Sequence, residues 1–176
     1  SRALALDSTV SDAWVAAAYA ASDAHPRSFD GVVPALQRAL SLDPFQLEAA
    51  DGLIRLDVAA GRVARARDRV EALVARAPRN LGLLLLGART FMITKDAKRA
   101  EALLMQAIAV DPAMLAAYSM LGRIYLGQGR LDEARREFEQ LAEQQSPPIA
   151  ALTMVGIIQQ AQLRTADARR TFERVL

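Results

Sequence analysis

The sequence predicts an all-α fold, a solenoid of about five helix–turn–helix repeats preceded by part of another helix. Three observations predict it: a helix-forming composition, a turn phrase that recurs at nearly constant spacing, and a weaker break midway through each period. Alanine, leucine, arginine and glutamate dominate, whereas glycine (9) and proline (7) are few. These abundant residues lose little side-chain freedom in a helix, so the composition alone favours helices over strands.

The recurring phrase ends in an aspartate followed by proline or serine, residues that favour a turn. Residues 39–44 (ALSLDP) match residues 107–112 (AIAVDP), and residues 3–8 (ALALDS) match both. With Pro78 and Pro147 the end markers fall at 8, 44, 78, 112 and 147, spacings of 36, 34, 34 and 35. An oxygen-bearing residue before proline is expected to supply the N-cap of the next helix, with proline in its first turn.

This periodicity predicts a single domain over residues 1–176. The expected repeats span about 9–44, 45–78, 79–112, 113–146 and 147–176, and residues 1–8 are expected to end a truncated preceding repeat. Breaks near Gly61, Gly129 and residues 94–96 divide the periods into a helix A and a helix B, because glycine tolerates the left-handed conformation that ends many helices.

The fourth period carries a recognisable order of aromatic, small and proline residues: Tyr118, Leu121, Gly122, Tyr125, Ala134, Phe138 and Pro147. This order resembles the tetratricopeptide repeat. The resemblance implies a right-handed superhelix that binds proteins, and the small residues are expected to let helices A and B approach closely, Gly122 against Ala134 and Gly156 against Ala168. Only two of the 22 basic residues are lysine, a bias typical of GC-rich bacterial genomes. This bias suggests a bacterial source. Because residues 1–8 are expected to end a truncated repeat, we expect a fragment of a longer bacterial array.

The net charge of +2 conceals a basic band. Residues 1–60 carry a net charge of −4, residues 61–100 one of +7, and residues 101–176 one of −1. The band at residues 62–99 could attract an acidic partner, although most such bands are solvated faces. Its arginine stripe at positions 62, 65, 69 and 76 lacks interleaved aromatic residues for stacking bases, so we expect no nucleic-acid partner.

No motif indicates catalysis. The chain has one histidine and no cysteine, which leaves little for a metal site, so neither a metal nor a cofactor is expected. The acidic residues Asp132, Glu133 and Glu137 stand among arginines at the spacing of intrahelical ion pairs rather than as an acid–base couple. The longest apolar run, residues 81–88, is far short of the roughly 20 residues that a membrane span needs. We expect no enzyme and no membrane span, with the bacterial cytoplasm and the periplasm both left open.

The resemblance implies that a partner binds the inner, concave face formed by the A helices. Carried over position by position, it implies a lining of Tyr19, Asp51, Arg55, Leu84, Phe91, Met92, Ser119, Arg123, Leu126, Ile157 and Gln160. Leu84 and Phe91 fit core packing equally well. If they face the groove, its centre is apolar and its N-terminal part acidic, which suits a segment with apolar anchors and some positive charge. Truncating either residue is then expected to weaken binding.

The expected function is therefore a non-catalytic scaffold that binds a peptide or helix of a protein partner. The alternative is a non-catalytic arm of a larger enzyme or of an exopolysaccharide-export or lipoprotein assembly. Apolar residues at both ends also suggest end-to-end self-association, because solenoids need terminal repeats with a polar outer face.

Overall fold

The computed structural model describes residues 10–18, 31–144 and 147–175. Every regular element in these ranges is a helix, which confirms the predicted all-α class. The chain divides into two compact units, residues 1–90 (unit 1) and residues 91–176 (unit 2). The expectation of a single domain stays a prediction.

The helices alternate along the chain between an A helix (odd numbers) and a B helix (even numbers). They are α1 (residues 10–18), α2 (Val32–Leu42), α3 (Leu47–Ala59), α4 (Val63–Arg76), α5 (Leu81–Ile93), α6 (Ala97–Val110), α7 (Leu115–Gln128), α8 (Leu131–Glu143), α9 (Ile149–Ala161) and α10 (Thr165–Glu173).

The turns between helices A and B share one backbone design. A residue with positive φ stands at Gly61 (73°), Lys95 (62°), Gly129 (69°) and Leu163 (61°), so the left-handed position recurs every 34 residues. The next amide donates to the carbonyl of the residue five positions earlier, as in Arg62 N to Asp57 O (2.8 Å) and Arg130 N to Tyr125 O (3.0 Å). This pattern satisfies carbonyls that the helix end would leave unpaired. The predicted mid-period breaks are confirmed.

The junctions between helix B and the next helix A differ from the sequence expectation. Asp43 and Asp111 end α2 and α6 as C-caps, and their Oδ1 atoms accept from the amides of Phe45 and Ala113, both at 2.9 Å. The proline therefore belongs to a short turn, and helix A begins a few residues later. The N-cap of α3 is Gln46, whose side chain accepts from the amide of Ala49 at 2.8 Å. The prediction that Asp43 caps the following helix was wrong because its carboxylate closes a local turn instead.

Unit 1 has its core where α1, α2 and α3 meet. Small and aliphatic side chains fill it: Val15, Ala18, Val32, Ala35, Leu36, Ala39, Ala49 and Leu53. Ser11 is fully buried, and its hydroxyl donates to the carbonyl of Ala39 at 3.1 Å. Four of these eight residues are alanines, whose small side chains allow closely packed helices.

Unit 2 has an aromatic core. Tyr118 and Phe138 are fully buried with ring centroids 6.0 Å apart, and Tyr125 meets Phe138 edge-on at 6.2 Å. Such tilted and edge-on pairs are favoured by the charge distribution of the rings. All three residues belong to the residue order that carries the resemblance in the fourth period.

The two helix A glycines of unit 2 make different close contacts. A Cβ on Gly156 would stand 2.4 Å from the ring of Phe172 on α10, so the close contact is with helix B as predicted but with Phe172 rather than Ala168. A Cβ on Gly122 would instead meet the Met154 methyl group, at 2.2 Å, on α9. The prediction for Gly122 was therefore wrong in its partner, since this glycine makes room for the next A helix.

Each unit is built from contacts between near neighbours in the sequence. In unit 1, α3 packs against α2 and α4. In unit 2, α7 packs against α6, α8 and α9, and α9 packs against α8 and α10. These are contacts within a repeat and between adjacent repeats, the arrangement of a helical solenoid.

Candidate partner-binding surface

The exposed side of the A helices in unit 2 presents a mixed apolar and polar face. On α7 the residues Ser119, Arg123 and Leu126 are exposed and lie on one side of the helix, at i, i+4 and i+7. On α9 the equivalent positions, 34 residues later, hold Thr153, Ile157 and Gln160, of which only Thr153 is partly buried. Because α7 packs against α9, we treat these six residues as one surface, the unit 2 A face.

Apolar side chains on this side are unusually open. Leu126 is 39% exposed and Ile157 36%, while Leu115 and Ile149, the first residues of their helices, are 54% and 51% exposed. Scattered exposed aliphatic residues are ordinary, but four on two adjacent helices can provide anchors for a partner. A cavity of about 590 Å³ lies beside these first residues, lined also by Pro112, Pro147 and Thr153.

Arg123 provides the charge of the unit 2 A face. It is exposed, and among the residues that the structure describes no ion pair involves it. Most other arginines of unit 2 are bound to carboxylates, for example Arg135 to Glu139 (2.9 Å) and Arg164 to Asp167 (2.6 Å). Arg123 can therefore bind an external carboxylate without losing an internal contact.

The predicted residues of unit 1 have a different environment. Asp51 on α3 accepts from Arg89 on α5 at 2.5 Å and lies 4.0 Å from Arg55, whose side chain is 76% exposed. The acidic character expected here is thus largely neutralised by Arg89, which the sequence analysis did not single out. Asp51 by itself therefore gives no reason to expect positive charge in a partner.

Three predicted residues of the centre do not form an open surface, and a fourth cannot be placed. Leu84 is fully buried and Phe91 is 3% exposed, so both belong to the core, the alternative that the sequence left open. A buried side chain offers no area to a partner. Truncating Leu84 or Phe91 is therefore not expected to weaken binding directly, contrary to the prediction. Met92 is partly buried. Tyr19 lies outside the described residues.

One structural feature was not predicted from the sequence. A polar side chain in the last turn of helix A is hydrogen-bonded to a side chain of helix B that follows it by 12 residues. Asp57 accepts from Arg69 (3.3 Å), the Tyr125 hydroxyl donates to Glu137, and the Thr171 hydroxyl donates to Gln159 (2.8 Å). The aligned positions of the third repeat hold Phe91 and Leu103. A comparison of residues 12 apart in the aligned repeats would have found these pairs.

The basic stripe of α4 is organised by Asp57. Asp57 is 3% exposed. Its carboxylate lies 2.9 Å from Arg62, 3.8 Å from Arg65 and 3.3 Å from Arg69. A buried carboxylate needs such partners, because isolated burial of a charge is costly. Three arginines of the predicted solvated stripe therefore also hold α4 against α3.

A second charged cluster surrounds Tyr125 in unit 2. Arg130 stacks on its ring (4.6 Å to the centroid) and binds Glu101 and Glu133, both at 2.5 Å. Burial, and then the hydrogen bond to Glu137, raise the pKa of Tyr125 well above its ordinary value. The hydrogen bond from Arg130 lowers the pKa of Glu133, and those from Arg170 and Arg164 lower that of Asp167. Burial and these hydrogen bonds therefore favour the neutral form of the Tyr125 phenol and the ionised forms of Glu133 and Asp167.

The described residues contain neither a metal-binding cluster nor a membrane-spanning helix. In the part of the chain that the structure describes, no group of three or more His, Asp or Glu side chains could hold a metal ion. Within the same residues, no helix is long and apolar enough to cross a membrane.

The sequence of part of the chain matches a known repeat family. Residues 91–155 match the family described as tetratricopeptide repeat. Within these residues the chain carries the tetratricopeptide pattern. The matched stretch includes α6, α7 and α8, and it carries the residue order from Tyr118 to Pro147 on which the resemblance was based. The predicted resemblance to the tetratricopeptide repeat is confirmed for residues 91–155.

Solved structures of tetratricopeptide proteins extend the likeness to nearly the whole chain. The crystal structure of MamA superposes with a TM-score of 0.58 at 19% identity, covering 94% of this chain and 90% of MamA. Pseudomonas aeruginosa pilF superposes with a TM-score of 0.61 at 17% identity, covering 96% of this chain and 76% of that one. At these identities the likeness concerns the tetratricopeptide fold alone. A search of curated protein sequences gives no match.

Proposed function

We propose that this chain is a non-catalytic protein-interaction module that binds a peptide or helix of a partner on the unit 2 A face. Tetratricopeptide repeats are typically protein-interaction scaffolds, and residues 91–155, which match the family, include most of this face. The observation that carries the proposal is the exposure of Leu126 and Ile157 beside Arg123, whose guanidinium has no ion-pair partner among the described residues.

The chemistry of the face indicates the chemistry of the partner segment. Two apolar side chains would pack on Leu126 and Ile157, and a carboxylate would bind Arg123, while Ser119 and Gln160 offer hydrogen bonds at the rim. Interfaces commonly combine a few apolar anchors with polar groups around them. We therefore expect a segment with aliphatic or aromatic residues next to an aspartate or glutamate.

The test begins with selection of binding peptides from a random library displayed on phage, using the full chain as bait. The selected peptides are then measured by fluorescence polarisation against Arg123→Glu and Ile157→Asp. Each variant is expected to weaken binding about tenfold or more, since a like charge or a buried unpaired carboxylate costs more than about 1.4 kcal/mol. The thermal unfolding of both variants should match that of the parent, because both side chains are exposed.

The matched control is Arg136→Glu, the same charge reversal at an exposed position of helix B on α8. It should leave the affinity within about twofold, a change of less than roughly 0.5 kcal/mol. Equal effects of Arg123→Glu and Arg136→Glu, or full affinity in both unit 2 A face variants, would refute the assignment.

Self-association remains a separate part of the expected behaviour. Of the apolar residues that suggested it, Phe172 and Val175 are partly buried, and those at positions 3, 4, 6 and 176 lie outside the described residues. We propose a weak dimer that grows with concentration. Light scattering over a wide concentration range tests this, and a constant monomer mass would contradict it.

A further inference from the structure

A second surface, in unit 1, is suited to a ligand and is not used by the proposed function. It is a cavity of about 430 Å³ between the end of α2 and the exposed side of α4, both B helices. Leu40, Pro44 and Leu73 form an apolar floor, and Arg65, Arg69 and Arg76 stand around it. We call it the α4 groove.

The arginines of the α4 groove are held in place by the protein. Arg65 and Arg69 are directed by the buried Asp57, at 3.8 and 3.3 Å. Arg76 lies over the ring of Phe45, 5.2 Å from its centroid. Because these contacts restrict long, mobile side chains before a ligand arrives, binding loses less conformational entropy than at an ordinary surface arginine.

Positive charge exceeds negative charge in and around the groove. Arg62, Arg65, Arg69 and Arg76 face two aspartates, the buried Asp57 and the exposed Asp68. Arg76 forms no ion pair among the described residues, and the side chain of Arg65 is 57% exposed. The surplus is consistent with the net charge of +7 over residues 61–100.

We propose that the α4 groove binds an acidic protein segment that carries an aliphatic or aromatic side chain between carboxylates. The apolar side chain lies on Leu40, Pro44 and Leu73, and the flanking carboxylates bind Arg65 and Arg76. These two arginines are 11 positions apart on α4, which is about 16 Å along the helix axis. An extended segment covers that distance in about five residues at roughly 3.3 Å each.

A protein segment fits the groove better than a nucleic acid does. Asp68 lies in the lining, where it would repel a continuous row of phosphates, whereas a peptide can space its carboxylates around it. Single-stranded nucleic acids bind through aromatic platforms. Phe45, an aromatic ring next to the groove, is already covered by Arg76. The floor is aliphatic and suits a leucine side chain.

The test uses the full chain and a short fluorescent peptide in which paired glutamates flank a central leucine. Ala72→Glu places a negative charge in the groove, whereas Ala75→Glu places the same charge on α4 outside its lining; both alanines are exposed. The peptide should bind the parent with an affinity that falls as salt rises. Ala72→Glu should weaken binding about tenfold, and Ala75→Glu by no more than about twofold. Circular dichroism and thermal unfolding verify that both variants fold.

Four further measurements decide the outcome: two variants, a glutamine version of the peptide, and an oligothymidine. Arg76→Gln, which leaves the contacts of Asp57 intact, should also weaken binding of the peptide. Arg123→Glu on the unit 2 A face should leave the peptide affinity unchanged. A glutamine version of the peptide should bind poorly. The proposal is overturned by equal effects of Ala72→Glu and Ala75→Glu, by the absence of saturable binding, or by an oligothymidine that binds more tightly than the peptide. Because Arg123→Glu tests the other surface, failure here is distinguishable from failure of the proposed function.

Discussion

At the scale of single residues, one left-handed position in each turn decides where helix A ends. Gly61 and Gly129 adopt a positive φ without steric cost, whereas Lys95 and Leu163 adopt it despite their Cβ atoms. That conformation costs a residue with a side chain about 1 kcal/mol. The same backbone every 34 residues therefore results from the repeat geometry rather than from glycine alone.

Two glycines near the end of α7 allow this cost to be measured. Neither Gly127 nor Gly129 would bring a new Cβ within 4 Å of another group, but only Gly129 has a positive φ, 69°. Gly127→Ala should raise the free energy of unfolding by roughly 0.5–1 kcal/mol, because alanine favours the helix. Gly129→Ala should lower it by about 1 kcal/mol. Urea unfolding measures both, and a stabilising Gly129→Ala would contradict the account.

At the scale of elements, the polar link between helices A and B varies from repeat to repeat while its position stays constant. Asp57 with Arg69, Tyr125 with Glu137, and Gln159 with Thr171 all join residues 12 apart. Each pair is buried or partly buried, so each helix end is joined by a bond that is shielded from water. Paired helices with different links can differ in their sensitivity to pH.

The link at Tyr125 predicts such a dependence. Burial and Glu137 raise the pKa of Tyr125 in the folded chain, so its folded state holds the proton more tightly than the unfolded state does. The resulting stability is present below the ordinary tyrosine pKa of about 10 and is lost as the pH rises above it. Tyr125→Phe keeps the ring against Phe138 but removes the titrating group. Tyrosine ordinarily titrates between about pH 9 and 11. Over this range the unfolding free energy of Tyr125→Phe should fall less than that of the parent.

Urea unfolding at a series of pH values checks this, with Glu137→Gln as the companion variant. Removing the Glu137 charge should give an intermediate slope, since burial remains. Parallel pH curves for Tyr125→Phe and the parent would show that the phenol does not titrate differently in the folded chain.

Much of this element-scale structure was predictable, and the failures have physical causes. The A–B turns at Gly61 and Gly129 were predictable because a glycine at the left-handed position is visible in the sequence. The sequence pattern wrongly predicted Asp43 as a helix N-cap, since a side-chain oxygen before proline can close a turn as readily as cap a helix. It left Leu84 and Phe91 ambiguous because α5 is apolar on nearly all sides, so periodicity could not separate core from surface.

At the scale of the whole molecule, each unit is built from contacts between adjacent helices, and the two units expose surfaces of different chemistry. In unit 2 the A helices α7 and α9 expose Arg123 next to apolar anchors. In unit 1 the B helix α4 gathers arginines on Asp57 and along its groove. Charge counts over the sequence located the basic band but could not show which arginines were already bound. Arg123, one basic residue in a nearly neutral stretch, gave no sequence signal beyond its repeat position.

The central claim is that a partner segment binds the unit 2 A face, and mapping by NMR tests it most directly. The 19.1 kDa chain suits amide chemical-shift perturbation with a peptide selected from the library. The account predicts that the largest shifts fall on α7 and α9, at Ser119, Arg123, Leu126, Thr153, Ile157 and Gln160. Shifts concentrated on the B helices α8 and α10, with those six amides unmoved, would contradict it.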